Sequence, residues 1–191
     1  TDIGGFHGGV TDDPDFQELL VRWFQFGAFC PVMRLHGNRL PREEIINKAG
    51  EVREGTGADN EIWSFGEKNY EILKKFIGIR EKMRDYTRSL MEEAHEKGTP
   101  VMRTMFYEFP DDAACWDISD AYMFGSDILV APIVQPKATS RTVYLPSGAS
   151  WTLANTGEVY EGGKSYEIDA PIETLPIFLR DGKQGYLVGE I

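Results

Sequence analysis

Apolar residues recur at helical steps through most of residues 14–97 and fall into short alternating runs after residue 98. In "TDDPDFQELLVRWFQFG", Phe16, Leu19, Leu20 and Trp23 stand at i, i+3, i+4 and i+7, the period of an amphipathic helix. Asp13 is placed to cap it, Pro14 fits its first position, and Gly27 is the expected stop. The stretch before it, residues 1–10, reads as the end of a strand running into a Gly-rich loop. After the helix, "AFCPVMRLHG" reads as a short buried strand whose last residues turn polar, although Pro31 argues against a regular central strand. Residues 38–68 show no clean period and read as a long surface loop, a length usual for binding segments. From Asn69 to Lys97, Ile72, Phe76, Ile79, Met83, Tyr86, Leu90 and Ala94 recur at steps of three and four, so one long helix is expected. Gly98 supplies its C-cap and Pro100 lies just beyond.

The second half changes period. "VMRTMFYEF", "DILVAPIV", "RTVYLP", "SWTLAN", "VYEGGKSYEI" and "TLPIFLR" are short runs rich in β-branched and aromatic residues, separated by turn residues. Gly162-Gly163 reads as a two-residue hairpin turn. The run "EFPDDAACWD" reads as a turn between strands, not as a catalytic acid pair. This half is expected to be an antiparallel β-sandwich or part of one. The first half, strand–helix–strand–loop–helix, looks like the last two units of a (β/α)8 TIM barrel, in which polar residues at the C-terminal strand ends build the active site. The expected division is 1–98 for the barrel portion and 99–191 for the β-sandwich domain.

Composition narrows the partners. The chain has 191 residues, 41% apolar, with a net charge of −11. Both halves are acidic, which disfavours a phosphate backbone, so no nucleic acid is expected. No run approaches the ~18 apolar residues of a membrane span, so no membrane is expected either. Cys30 and Cys115 are isolated and apolar-flanked, which fits buried free thiols. With no paired-cysteine or His/Cys cluster, neither a zinc site nor any other metal is expected. Two cysteines are too few for a disulfide scaffold, which fits a reducing compartment, and a cytoplasmic location is the expectation.

Asp2 ends the first candidate strand; Arg34 and His36 end the second. Taken singly they have plain readings: a carboxylate tying a Gly-rich turn, a surface ion pair, a loop histidine. Trp63 and Phe65 in "NEIWSFG" either offer ring faces to a bound ligand or anchor their loop to the core. His95 reads as solvated, and nothing assigns a role to His7.

Five blocks taken in order, "DIGGF", "RWFQFGAFCPVMRLHG", "GTPVMRTMFYEFPDD", "YMFGSDILVAPI" and "LPIFLRDG", resemble the C-terminal part of glycoside hydrolase family 31, which includes α-glucosidases and α-xylosidases. The resemblance implies the end of a (β/α)8 catalytic barrel followed by a proximal β-sandwich, in a retaining enzyme acting through two Asp residues without a cofactor. Both would lie upstream of "DIGGF", so the chain carries no catalytic residue of its own and Thr1 reads as a truncation point. By the same resemblance Asp2 and His36 bind the non-reducing-end sugar, and Arg34 pairs with a pocket carboxylate. Asp85 departs from the Pro that many relatives carry, which is expected to change only helix geometry. The partners implied are an oligosaccharide substrate and the missing N-terminal barrel segment, without which the bare helix faces are expected to drive self-association into a homo-oligomer. The alternative from a different class is a non-catalytic carbohydrate-binding or interaction module retaining half a sugar pocket.

Overall fold

The computed structural model describes residues 2–42, 44–53 and 57–191. Strand β1 (Asp2–Ile3) leads through a Gly-rich turn into β2 (His7–Val10) and then helix α1 (Pro14–Ala28). The helix starts as its sequence dictates: Asp13 Oδ1 accepts from the Asp15 N–H at 3.0 Å and Pro14 opens the first turn. Asp13→Ala is expected to cost about 1 kcal/mol; an unchanged thermal midpoint would show that the cap contributes nothing. Gly27 does not end α1, which runs on to Ala28. Its apolar face is Phe16, Leu20, Val21, Phe24 and Ala28, while Leu19, expected on that face, is exposed. The buried arc is wider and rotated because Arg22 and Gln25 are buried too, against a second set of partners described below.

β3 (Arg34–Leu35) returns parallel to β1, with Asp2 opposite Arg34 and Ile3 opposite Leu35. This is a β-α-β unit with two polar side chains in register. The segment expected to be loop holds short strands: β4 (Asn38–Arg42), β5 (Ile45–Ile46), β6 (Val52–Arg53) and β7 (Gly57–Ala58). β4 pairs parallel with β2 and antiparallel with β7, and β5 pairs with β6. Most are two residues long, too short to show an alternation. A 3-10 turn, Ile62–Phe65, follows.

The expected long helix is two, α2 (Glu67–Lys82) and α3 (Arg84–Lys97), joined at buried Met83. Each follows its own partner. α2 lies on α1 through Ile72, Leu73, Phe76 and Ile79, while α3 is drawn to the β half, where the Tyr86 hydroxyl donates to the Phe124 carbonyl at 3.0 Å. Gly98 closes α3 with a left-handed φ of 71°.

The second half comprises β8 (Met102–Thr104), a one-turn helix α4 (Met105–Glu108), β9 (Tyr122–Phe124), β10 (Ile128–Val130), β11 (Ser140–Leu145), β12 (Ser150–Leu153), β13 (Val159–Glu161), β14 (Lys164–Asp169) and β15 (Ile177–Arg180). The run "VMRTMFYEF" is therefore strand only at its start. The chain turns helical so that Glu108 meets buried Arg103 at 2.5 Å, with Glu93 on the other side at 3.0 Å. Six strands form an antiparallel sheet in the order β13-β12-β15-β10-β9-β8; β11 and β14 form a second. Val143, Leu145 and Ile168 of the smaller sheet share a core with Trp151, Leu129 and Phe178 of the larger.

Gly162-Gly163 is not a hairpin. β13 pairs with β12 and β14 pairs with β11, so the two glycines turn the chain from one sheet to the other. The corner is tight: a Cβ on Gly162 would lie 2.1 Å from the Pro146 carbonyl oxygen, and Gly163 has φ +83°.

Asp112 ties the corner of this half. It accepts from the Tyr144 hydroxyl at 2.9 Å and from the Ser147 N–H and hydroxyl at 2.8 and 2.9 Å. Burial opposes its charge, yet these donors outweigh it and hold the carboxyl below its ordinary value of 3.8. A depressed folded value stabilises above the unfolded one and is lost as pH falls through the folded one. Asp112→Asn is therefore expected to melt below the parent at pH 7 and to converge with it in acid below the ordinary carboxylate value. A gap that persists unchanged into acid would contradict this.

A second core crosses the division at residue 98, joining Ile3, Leu20, Phe24 and Phe76 to Phe124, Ile128, Ile177 and Leu179. Of the helix faces expected to lie bare, Phe16, Leu20, Phe24 and Phe76 are thus covered, while Leu19 stays exposed. Arg22 and Gln25 reach across as well: Arg22 donates to the carbonyls of Ala170 and Thr174 at 2.8 and 2.9 Å, and Gln25 to that of Ile172 at 2.7 Å.

Candidate functional site

Parallel pairing of β1 and β3 sets Asp2 beside Arg34. Arg34 Nε and Nη2 both donate to Asp2 Oδ1, at 3.0 and 2.7 Å. The pair is partly open to solvent and so contributes little to stability. Its effect is on charge and direction. The Arg34 hydrogen bond holds the Asp2 carboxyl below its ordinary range despite partial desolvation, so Asp2 is an ionised acceptor and not a proton donor.

His36 follows β3 and is exposed. The Phe6 ring lies 5.4 Å from its imidazole and 4.4 Å from that of His7. Phe6, which is 54% exposed, thus packs against both histidines. Sequence reasoning passed over Phe6; the signal was an aromatic residue amid four glycines in "GGFHGG". Trp63 is 67% exposed, so its ring is available to a ligand. Phe65 is fully buried, with its ring 6.3 Å from that of Phe16. It has no open face and serves as the loop anchor, not as a sugar platform. Buried Arg39 and its partner Asn60, both missed in the sequence, tie this loop to the Gly-rich turn.

An apolar cleft of about 1050 Å³ lies elsewhere, between α1 and the β half, where Leu19, Trp23, Phe26, Ile133 and Val134 line it. None of the five candidate residues reaches it. His95 is exposed and both cysteines are buried and free, as the sequence indicates.

An ionised carboxylate and imidazoles offer acceptors and donors together, the pattern that reads hydroxyl groups. Two parallel strands joined by a helix, with polar side chains at the strand ends, are the unit from which α/β barrels are built. Residues 1–90 match the profile of the glycosyl hydrolases family 31 TIM-barrel domain, and residues 98–183 that of the family 31 C-terminal domain. The chain belongs to glycosyl hydrolase family 31.

Among its relatives, "Alpha-glucosidase 2" of Bacillus thermoamyloliquefaciens is 40% identical over 95% of this chain and 20% of its own length. The "Alpha-xylosidase" of Saccharolobus solfataricus is 34% identical over 100% of this chain and 24% of its own. The crystal structure of a GH31 alpha-xylosidase from a soil metagenome, complexed with xylose, superposes with a TM-score of 0.94 at 50% identity, covering 98% of this chain and 28% of that one. The chain therefore spans about a quarter of the length of such relatives or less. No helix among the described residues is long and apolar enough to cross a membrane.

Proposed function

We propose that this chain supplies one wall of the sugar pocket of a retaining α-glycosidase that cleaves non-reducing-end α-glucosidic or α-xylosidic bonds of oligosaccharides. In this reading residues 1–98 are the C-terminal portion of a (β/α)8 barrel and residues 99–191 a proximal β-sandwich domain. The observation that carries it is the convergence of Asp2, Arg34 and His36 at the ends of two parallel strands. Asp2 and His36 bind sugar hydroxyls, Arg34 holds Asp2 in its ionised form, and Trp63 offers a ring face.

The reaction needs two carboxyl groups ~5–5.5 Å apart, one to attack the anomeric carbon and one to protonate the leaving oxygen. Asp2, held ionised by Arg34, does not suit the proton-donating role. The family resemblance assigns both roles to Asp residues upstream of Asp2, so in this reading the 191-residue chain by itself turns over no substrate. Glucose and xylose differ by one hydroxymethyl group, so the choice rests on the space left beside the sugar.

The test is to incubate the full-length gene product with aryl α-glucoside and aryl α-xyloside and to follow the released sugar by NMR. The α-anomer is expected first. Release of the β-anomer first, or no release from either substrate, would overturn the proposal.

A further inference from the structure

We infer that Arg39 is the positioning residue of this pocket, a buried fork that sets the backbone beside each of its ligand-facing side chains. The inference rests on the pocket reading above. Arg39 has no exposed surface, and no carboxylate pairs with it among the described residues. Its bonds go to neutral oxygens instead: the carbonyls of Ile3, Gly5 and Gly8 at 3.0, 2.9 and 3.1 Å, and Asn60 Oδ1 at 2.9 Å. The Phe16 ring lies 5.2 Å from the guanidinium carbon. An unpaired cation is costly to bury, so mere filling of this space would be better served by an apolar side chain.

The partners show what the cost secures. Ile3 follows Asp2, Gly5 precedes Phe6, and Gly8 follows His7. Asn60 donates through Nδ2 to the carbonyl of Gly37, the residue after His36, and lies three residues before Trp63. One guanidinium thus joins the Gly-rich turn, the end of β3 and the loop bearing Trp63. The turn contains Gly4, Gly5, Gly8 and Gly9 and has few side chains with which to fix itself. The fit is close: a Cβ on Gly4 would stand 2.6 Å from Nη2, and one on Gly37 2.9 Å from Nη1. A lysine keeps the charge but cannot reach four oxygens in a fixed plane.

The test uses Arg39→Lys and Asn60→Leu in the full-length protein, read by amide hydrogen exchange and by kcat/KM on the aryl glycosides. Asn60→Leu removes the Nε acceptor and the Nδ2 bond to Gly37 but leaves Arg39 on Ile3, Gly5 and Gly8, and it keeps the test alive if Arg39→Lys fails to fold. Exchange is expected to rise in residues 2–10 and 57–63 together, with residues 14–28 unchanged, and kcat/KM to fall on the order of ten- to a hundred-fold. Exchange that rises only around residues 38–42, or uniformly over the whole chain, overturns the positioning role. Correlated loosening of both segments with kcat/KM unchanged would instead leave the clasp standing and overturn the assignment of this loop to the pocket.

Discussion

His36→Ala in the full-length protein should lower kcat/KM on an aryl α-glycoside on the order of a hundred-fold or more, with the melting temperature unchanged. The two halves of this expectation come from different observations. His36 is exposed and its ring packs on that of Phe6, so removing it takes little from the fold. A sugar hydroxyl buried against that position would lose its partner in the closed complex, where no water replaces it. Hydroxyl contacts of this kind strengthen as positive charge develops on the sugar ring, so kcat should fall along with kcat/KM. His36→Asn, which keeps a donor and an acceptor, should lose less. An unchanged kcat/KM in the alanine variant would mean that His36 does not touch the substrate.

The second large effect concerns the joint between the two halves. Arg22 projects from α1 into the turn between β14 and β15 and donates to four carbonyls, those of Ala138, Ala170, Pro171 and Thr174. Only 8% of its surface is exposed. Arg22→Leu keeps the apolar stem but takes this donor from the part-buried carbonyls of Ala138 and Thr174 and the buried one of Ala170, while that of Pro171 keeps the Thr174 N–H. The expected cost is about 3 kcal/mol, the sum over several orphaned acceptors being offset by the charge no longer buried. For a chain of this size that corresponds to a fall of roughly 6–12 °C in the melting temperature. Arg22→Lys should fall in between. A leucine variant that melts with the parent would show that the joint is held by its apolar core alone, the cluster that includes Phe24, Phe76, Ile177 and Leu179.

The sequence discloses what is local. The Asp13–Pro14 start, the Gly98 cap and most β runs of the second half depend on residues adjacent in the chain, and each stands close to its expected place. The family blocks were legible for the same reason. Arg22 and Arg39 were not. Most of their partners are backbone carbonyls, up to 152 residues away for Arg22, and a carbonyl leaves no trace in residue type. Gly162-Gly163 carries a hairpin signal because the local chemistry of a hairpin and of a sheet-to-sheet corner is the same; only the pairing of β13 with β12 separates them. The bend at Met83 has no breaker residue to announce it, since it arises from two helices following different partners. Phe65 and Trp63 are two residues apart and equally aromatic, yet one is fully buried and the other 67% exposed, a difference made by a single 3-10 turn.

The most direct test of the pocket is a crystal structure of the full-length protein with xylose or glucose bound. The Asp2 carboxylate and the His36 imidazole should each lie within about 3.2 Å of a sugar hydroxyl, with the Arg34 bond to Asp2 kept. A sugar seated with neither residue in reach, for instance in the apolar cleft between α1 and the β half, would contradict the account.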